Sequence, residues 1–315
     1  MGTLGLFVIA GLAACSSDSA DDAGNDSARA LIALAGSQPG DVIALRAGDD
    51  GTTIEWIDRR AGTIRTVSVA EAGSEPLSVD DIETLATIEV GIEGEQRGLL
   101  GHTVIDGVRY AAWTDPDTLH LLVGEVSPTG VERIVWDGGA TAGGAVGGHL
   151  EASADGQLIL GIGQLTDWAK ANGSGALVQL DAAGPSDQDP IVLSDGYTNP
   201  FAFAVIDGEL WVADNAVGND IERIGRGDLT DRDDLAATGR DPRAPSAVVA
   251  LPDGNLAVCG FLDGQLLAWQ TDDAPRYSTP LGPCLTGAVT LADGTVVTAS
   301  ASPDGAMSLV LLPAS

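Results

Sequence analysis

The chain has 315 residues, 42 of them glycine, and its 46 acidic side chains exceed its 15 lysines and arginines enough to leave a formal net charge of −31. So acidic a surface, with Lys170 as the single lysine, argues against nucleic acid or an anionic membrane surface as partner, because both require a basic face. The length suits one all-β domain with a substantial core, long amphipathic helical patterns are scarce, and the excess acid reads as a solubilising surface.

Residues 4–14 form an apolar run that is too short to cross a bilayer comfortably as a helix and stops at Cys15. Leu12-Ala13-Ala14-Cys15 resembles the lipobox that closes a bacterial lipoprotein signal, where the cysteine is lipidated and becomes the first mature residue. The resemblance implies an extracytoplasmic protein held to a bacterial membrane only through its lipid anchor. An ordinary cleaved secretory signal is the alternative, and the lack of any lysine or arginine in the first four residues departs from both patterns. Residues 1–15 are therefore assigned to the signal and lipobox. Residues 16–29, rich in Ser, Asp, Ala and Gly with little to bury, are expected to be a disordered acidic tether. Residues 30–315 form the folded domain, and its first apolar stretch is suited to completing a last sheet beside Met307–Leu312, which would hide both edges.

Six Asp-Gly pairs punctuate that domain: Asp50-Gly51, Asp106-Gly107, Asp155-Gly156, Asp207-Gly208, Asp253-Gly254 and Asp293-Gly294. Each precedes an apolar strand pattern, and Asp-Gly supplies the positive φ angles of a two-residue hairpin turn. Their spacing of 40 to 56 residues is the length of chain that a four-stranded propeller blade consumes. Further pairs at Asp263-Gly264 and Asp304-Gly305 fall where the next hairpin of the same blade belongs. The fold expected is all-β, a six-bladed β-propeller, with a short helix near residues 79–86 as its main exception. Cys259 and Cys284 lie in neighbouring repeats, so outside the cytoplasm they are expected to pair, two buried free thiols being the alternative.

Several blocks then match in order: Gly94-Glu95-Gln96-Arg97-Gly98-Leu99-Leu100-Gly101, Gly147-Gly148-His149-Leu150, Gly175-Ala176-Leu177-Val178-Gln179-Leu180-Asp181, and Thr198-Asn199-Pro200 with Leu210-Trp211-Val212-Ala213-Asp214. Together they resemble the glucose/sorbosone dehydrogenase family, six-bladed quinoproteins that oxidise sugars with pyrroloquinoline quinone (PQQ) and calcium. The resemblance covers most of residues 40–300. It places Gln96, His149 and Asn199 at the ligand pocket. It also leaves a cation site near residues 214–220, where Asp214 and Asp220 are candidate ligands and an exposed acidic loop is the alternative.

The same resemblance implies chemistry that this chain lacks. The family's general-base histidine falls on Ala145, and a methyl group cannot take the hydroxyl proton. The family's cations for a tri-anionic quinone fall on Thr198, Leu262, Cys284 and Thr286. His149 is the nearest substitute base, whereas His102 and His120 read as structural histidines within apolar strands.

Two functions follow from this pattern. In the first, the protein is an envelope lipoprotein without resident cofactor, and its channel mouth binds a small neutral or cationic ligand or another envelope protein. In the second, it is a PQQ- and Ca2+-dependent sugar or alcohol dehydrogenase with relocated catalytic groups. Arginines converging on the channel, for which Arg97, Arg109 and Arg243 are the candidates, would favour the second.

Overall fold

The structure, a computed structural model, describes residues 28–70, 75–94, 96–142, 144–165, 175–215, 222–226, 235–237, 243–270 and 276–312. The expected signal with Cys15, nearly all of the expected tether, and Asp220 lie outside these residues.

Among the described residues, twenty-four strands form six four-stranded antiparallel sheets. After β1 (Arg29–Leu34), the first blade comprises β2 (Val42–Ala47), β3 (Thr53–Asp58), β4 (Thr63–Ser68) and β5 (Glu83–Thr87). The second has β6 (Leu99–Ile105), β7 (Val108–Thr114), β8 (His120–Ser127) and β9 (Gly130–Ala140), and the third β10 (Gly147–Ala152), β11 (Leu158–Ile162), β12 (Gly175–Leu180) and β13 (Ile191–Tyr197). The fourth is β14 (Pro200–Ile206), β15 (Glu209–Asp214), β16 (Arg223–Arg226) and β17 (Leu235–Ala237), and the fifth β18 (Pro245–Ala250), β19 (Leu256–Gly260), β20 (Gln265–Gln270) and β21 (Arg276–Pro283). The last contains β22 (Gly287–Thr290), β23 (Val296–Ala301) and β24 (Met307–Leu312), and β1 completes it by pairing antiparallel with β24, Leu34 opposite Met307. That pairing sews the two ends of the domain into one sheet, which leaves the ring no open blade.

The six Asp-Gly pairs all occupy one position, the turn from the innermost strand of a blade to its second. Only two of them are two-residue turns with positive φ at both residues: Asp106 and Gly107 at 52° and 78°, Asp207 and Gly208 at 53° and 79°. In the other four, glycine alone is left-handed. Three of these use the aspartate side chain instead, Asp50 accepting from the Thr52 amide, Asp253 from Asn255 and Asp293 from Thr295 at 2.8–3.0 Å. A carboxylate held by its own backbone in this way favours the longer hairpin loop with a bulge. The hydrogen bonds from the residue two positions on are the largest cause of the depressed carboxyl pKa at all three aspartates.

The expected helix near residues 79–86 is reduced to one 3₁₀ turn, Val79–Asp81. Ser78 and Asp81 cap it reciprocally, after which Ile82 is extended and Glu83–Thr87 becomes the outer strand of the first blade. An unfilled edge of β4 and the β-branched Thr84 and Thr87 outweigh the weak helical pattern there.

Burial is organised by interface, one apolar cluster between each pair of neighbouring blades. Ile54, Trp56 and Leu309 lie between the last and first blades, Ile64 and Trp113 between the first and second, and Tyr110 and Leu160 between the second and third. Phe203 and Val212 fill the next interface, Val258 and Trp269 the one after, and Leu266 and Val310 the sixth. Cys259 and Cys284, both fully buried in that sixth cluster, form a disulfide with Cα atoms 5.4 Å apart.

Candidate functional site

A pocket of about 540 Å³ runs along the propeller axis, from loops ahead of the inner strands to the far ends of β2, β14, β18 and β22. Its wall is mostly apolar, with Leu45, Phe201, Ala204 and Val249 among the lining residues. Among the described residues the polar ones that line it are Arg46, Arg59, Gln96, His149, Glu151, Asn215, Ser246, Thr286 and Thr290.

Three loops from three blades meet at one mouth. The loop before β6 carries Gln96, and the neighbouring Arg97 fixes that loop by donating to the Thr141 hydroxyl at 2.7 Å, the Thr141 carbonyl at 2.9 Å and the Glu93 carbonyl at 2.6 Å. Gln96 Oε1 accepts from the Val146 amide before β10 at 3.3 Å and from Asn199 Nδ2 before β14 at 3.2 Å. Gln96 and Asn199 are thus brought together, and Gln96 lines the pocket while Asn199 is fully buried behind it, its Oδ1 without a partner among the described residues.

Asn199 is held by Asp214. That carboxylate, at the end of β15, accepts the backbone amides of Thr198 at 3.0 Å and Asn199 at 2.8 Å and is gripped by Arg223, whose Nε lies 3.1 Å away. Arg223 also donates to the Gly196 carbonyl and stacks over Tyr197. Asp214 is completely buried, so its negative charge is matched by a guanidinium and two amides rather than turned toward solvent. Among the described residues no group of three His, Cys, Asp or Glu side chains is placed to hold a metal ion.

His149 projects from β10. Its neighbour Gly148 allows this close approach of strands, because it sits at φ 95° and a Cβ there would come within 2.4 Å of the Leu100 side chain. His149 Nε2 lies 3.1 Å from Glu151 Oε1, and its ring meets Phe203 edge-on with centroids 4.8 Å apart. Because His149 and Glu151 are two residues apart on one strand they share a face, and both line the pocket, while Leu150 between them is buried in the core.

The arginines singled out by sequence turn away. Arg97 serves its loop, Arg109 pairs with Glu55, and Arg243 pairs with Asp263. Among the described residues the two that do line the pocket, Arg46 and Arg59, carry no sequence signal that points there. Arg46 reaches Asp49 at 2.5 Å and Glu55 at 3.3 Å; Arg59 donates to the carbonyls of Gly40 at 3.0 Å and Arg97 at 2.8 Å and lies 3.7 Å from Asp41. No local motif marks them, because most of their partners are far along the chain.

Beside the pocket, the remaining histidines are structural. His102 is fully buried on β6, with Nε2 3.2 Å from the Ala44 carbonyl and Nδ1 3.2 Å from Arg109, so Nε2 carries the proton and Nδ1 accepts. Burial holds its pKa down to about 3, and it is neutral at pH 7. His120 sits on β8 next to Asp137 at 2.8 Å.

The positions that the family resemblance assigns to cofactor chemistry are filled as follows. Ala145 is buried, Leu262 is exposed, Cys284 is in the disulfide, and the Thr286 hydroxyl donates to the Val42 carbonyl. Among the described residues both pocket-lining guanidinia are already engaged, and these four positions offer no cation to a quinone bearing three carboxylates.

No protein-family model matches the chain, and no curated protein sequence matches it. Solved structures do. A Thermus thermophilus oxidoreductase described as a glucose dehydrogenase aligns with TM-score 0.68 at 19% identity, over 91% of this chain and 99% of its own. A further glucose dehydrogenase gives 0.71 at 15%, covering 92% and 100%, and the PQQ-bound aldose sugar dehydrogenase of Streptomyces coelicolor gives 0.66 at 15%, covering 91% and 98%. The chain therefore has the six-bladed propeller fold of the glucose and aldose sugar dehydrogenases, and at these identities the likeness is one of fold.

Proposed function

We propose that this propeller is a binding module of the bacterial cell envelope, anchored through lipidated Cys15, which takes up a small organic molecule without net negative charge in its axial pocket. One observation carries the pocket reading: both guanidinia that line it are already engaged, Arg46 by Glu55 and Asp49, Arg59 by Asp41 and two carbonyls, while the remaining wall is largely apolar. An apolar pocket with a few convergent polar groups is the general form of a small-molecule site. An anion would enter a chain at −31 with no free cation among the described lining residues to receive it.

Calorimetry of the purified chain with PQQ, with and without Ca2+, tests this. No binding at about 1 mM supports the module; binding at about 1 μM or tighter with aldose-dependent dye reduction overturns it. The anchor is tested by mass spectrometry of the membrane-extracted protein, where a lipid-modified N-terminal Cys15 supports it and an unmodified N-terminus downstream of Cys15 overturns it.

A second reading, a PQQ-dependent sugar or alcohol dehydrogenase with relocated groups, is favoured by one feature. The contact between Gln96 and Asn199 keeps two pocket positions of the resembled family together. The same titration decides between the two.

A further inference from the structure

We infer that the ligand is an organic cation, an ammonium group on a compact apolar body, bound partway down the axis by Glu151 and His149. The inference rests on the pocket reading above and names the class of molecule that the pocket selects.

Charge pairing singles out the position. Of the charged side chains lining the pocket among the described residues, Arg46 is matched by Glu55 and Asp49 and Arg59 by Asp41. Glu151 has only an imidazole as partner, the Oε1 contact with His149 at 3.1 Å. Its side chain is 35% exposed and that of His149 16%, so the carboxylate faces the pocket while the ring is largely enclosed. With the imidazole neutral, the pair carries one net negative charge in a mostly apolar wall, where a charge is less screened than in water.

The hydrogen-bonding capacity left over has the same sign. With Nε2 donating to Glu151, Nδ1 of His149 is an acceptor, and neither it nor Glu151 Oε2 has a partner among the described residues. Two acceptors on one strand face suit a group that is all donor, and an ammonium offers three N–H bonds and a full positive charge. Phe203, already edge-on to His149, and Phe201, Leu45 and Val249 supply apolar surface for the body of such a molecule. A carboxylate would be repelled, and an alcohol would meet the acceptors without the charge.

The probes are 2-phenylethylammonium, 2-phenylethanol and phenylacetate, titrated calorimetrically into the purified chain at pH 8 and about 0.15 M salt. The ammonium is expected to bind at least about tenfold tighter than the alcohol, with phenylacetate weakest. Glu151→Gln should bring ammonium and alcohol to parity without changing alcohol affinity, and Glu151→Lys should reverse the order in favour of phenylacetate. Asp187→Asn, which removes an exposed carboxylate of the same sign on the loop before β13, outside the pocket lining, should leave the preference intact.

Equal affinity of alcohol and ammonium for the wild-type chain overturns the inference and leaves the pocket reading standing. An equal loss of preference in Asp187→Asn also overturns it, because the general field of an acidic protein would then be the cause. Failure of all three probes to bind overturns both.

Discussion

Arg109 on the second blade holds Glu55 on the first with both terminal guanidinium nitrogens, at 2.6 and 2.9 Å. Arg46 reaches the same carboxylate, and neutral His102 closes the group against the Ala44 carbonyl. An interface between two blades is thereby built partly from buried charge. Arg109→Met leaves Glu55 with Arg46 alone and is expected to lower stability by about 3 kcal/mol, read as a shift of the urea midpoint. The double variant Arg109→Met with Glu55→Gln should recover much of the loss, because no uncompensated charge remains.

The same cluster makes stability depend on pH. His102 titrates at about 3 in the fold against an ordinary 6.5, so between those values the unfolded chain binds more protons and stability falls as pH falls. For Glu55, burial raises the pKa but the Arg109 hydrogen bonds and the neighbouring charges outweigh it, and the net shift is downward. Its contribution is present above the ordinary glutamate range and is lost as pH drops through the lower folded value. Urea midpoints measured from pH 7 to pH 4 should decline in the wild type and decline less in His102→Gln, whose Nε2 can still donate to the Ala44 carbonyl. Parallel slopes for the two proteins would refute this assignment.

Cys259 and Cys284 lie 25 residues apart and join the fifth and sixth blades where both are fully buried. Replacing both by alanine is expected to cost about 3 kcal/mol through the freed loop. Thermal unfolding with and without reductant checks it: the wild type should lose Tm on reduction and the double variant should not respond.

Asp214 anchors the loop that presents Asn199. Asp214→Ala removes the acceptor of two buried amides and the partner of Arg223, an expected loss of about 3 kcal/mol. Amide exchange at Thr198 and Asn199 should accelerate well beyond that of β10, and unchanged protection there would show that the loop is held by other means.

Ala44 lines the pocket at φ 52° with its carbonyl fixed by His102, a left-handed conformation that an L-residue adopts at a cost of about 1–2 kcal/mol. Ala44→Gly should remove that strain while adding unfolded-state entropy, a net stabilisation of about 0.5 kcal/mol measurable in urea. A destabilised variant would show that the methyl group contributes packing that outweighs the strain.

Much of the fold was legible in sequence because its signals are local. The Asp-Gly pairs act within a few residues, through φ angles and side chain to amide hydrogen bonds such as that from Thr52 to Asp50, and their recurrence counted the blades. The apolar pattern near residues 30–35 likewise pointed to the strand that closes the ring beside Met307–Leu312. Where two local tendencies competed, as at residues 79–86, the available edge of β4 decided for a strand. Ordered motifs singled out Gln96, His149 and Asn199 as site candidates, and the structure places Gln96 and His149 on one pocket and Asn199 directly behind Gln96.

The electrical character of that pocket was decided by tertiary structure alone. Arg109 finds Glu55 across 54 positions of sequence, Arg97 reaches Thr141 across 44, and Asn199 meets Gln96 across 103. Sequence could count the arginines, but it could not say that Arg97, Arg109 and Arg243 are spent on the scaffold while Arg46 and Arg59 reach the axis already engaged. The sequence by itself determined the strands, their turns and the number of blades, since these follow from interactions over a few residues. Which charges cancel, and that Glu151 is left facing the pocket with only an imidazole beside it, depended on the closed ring bringing distant segments within hydrogen-bond distance.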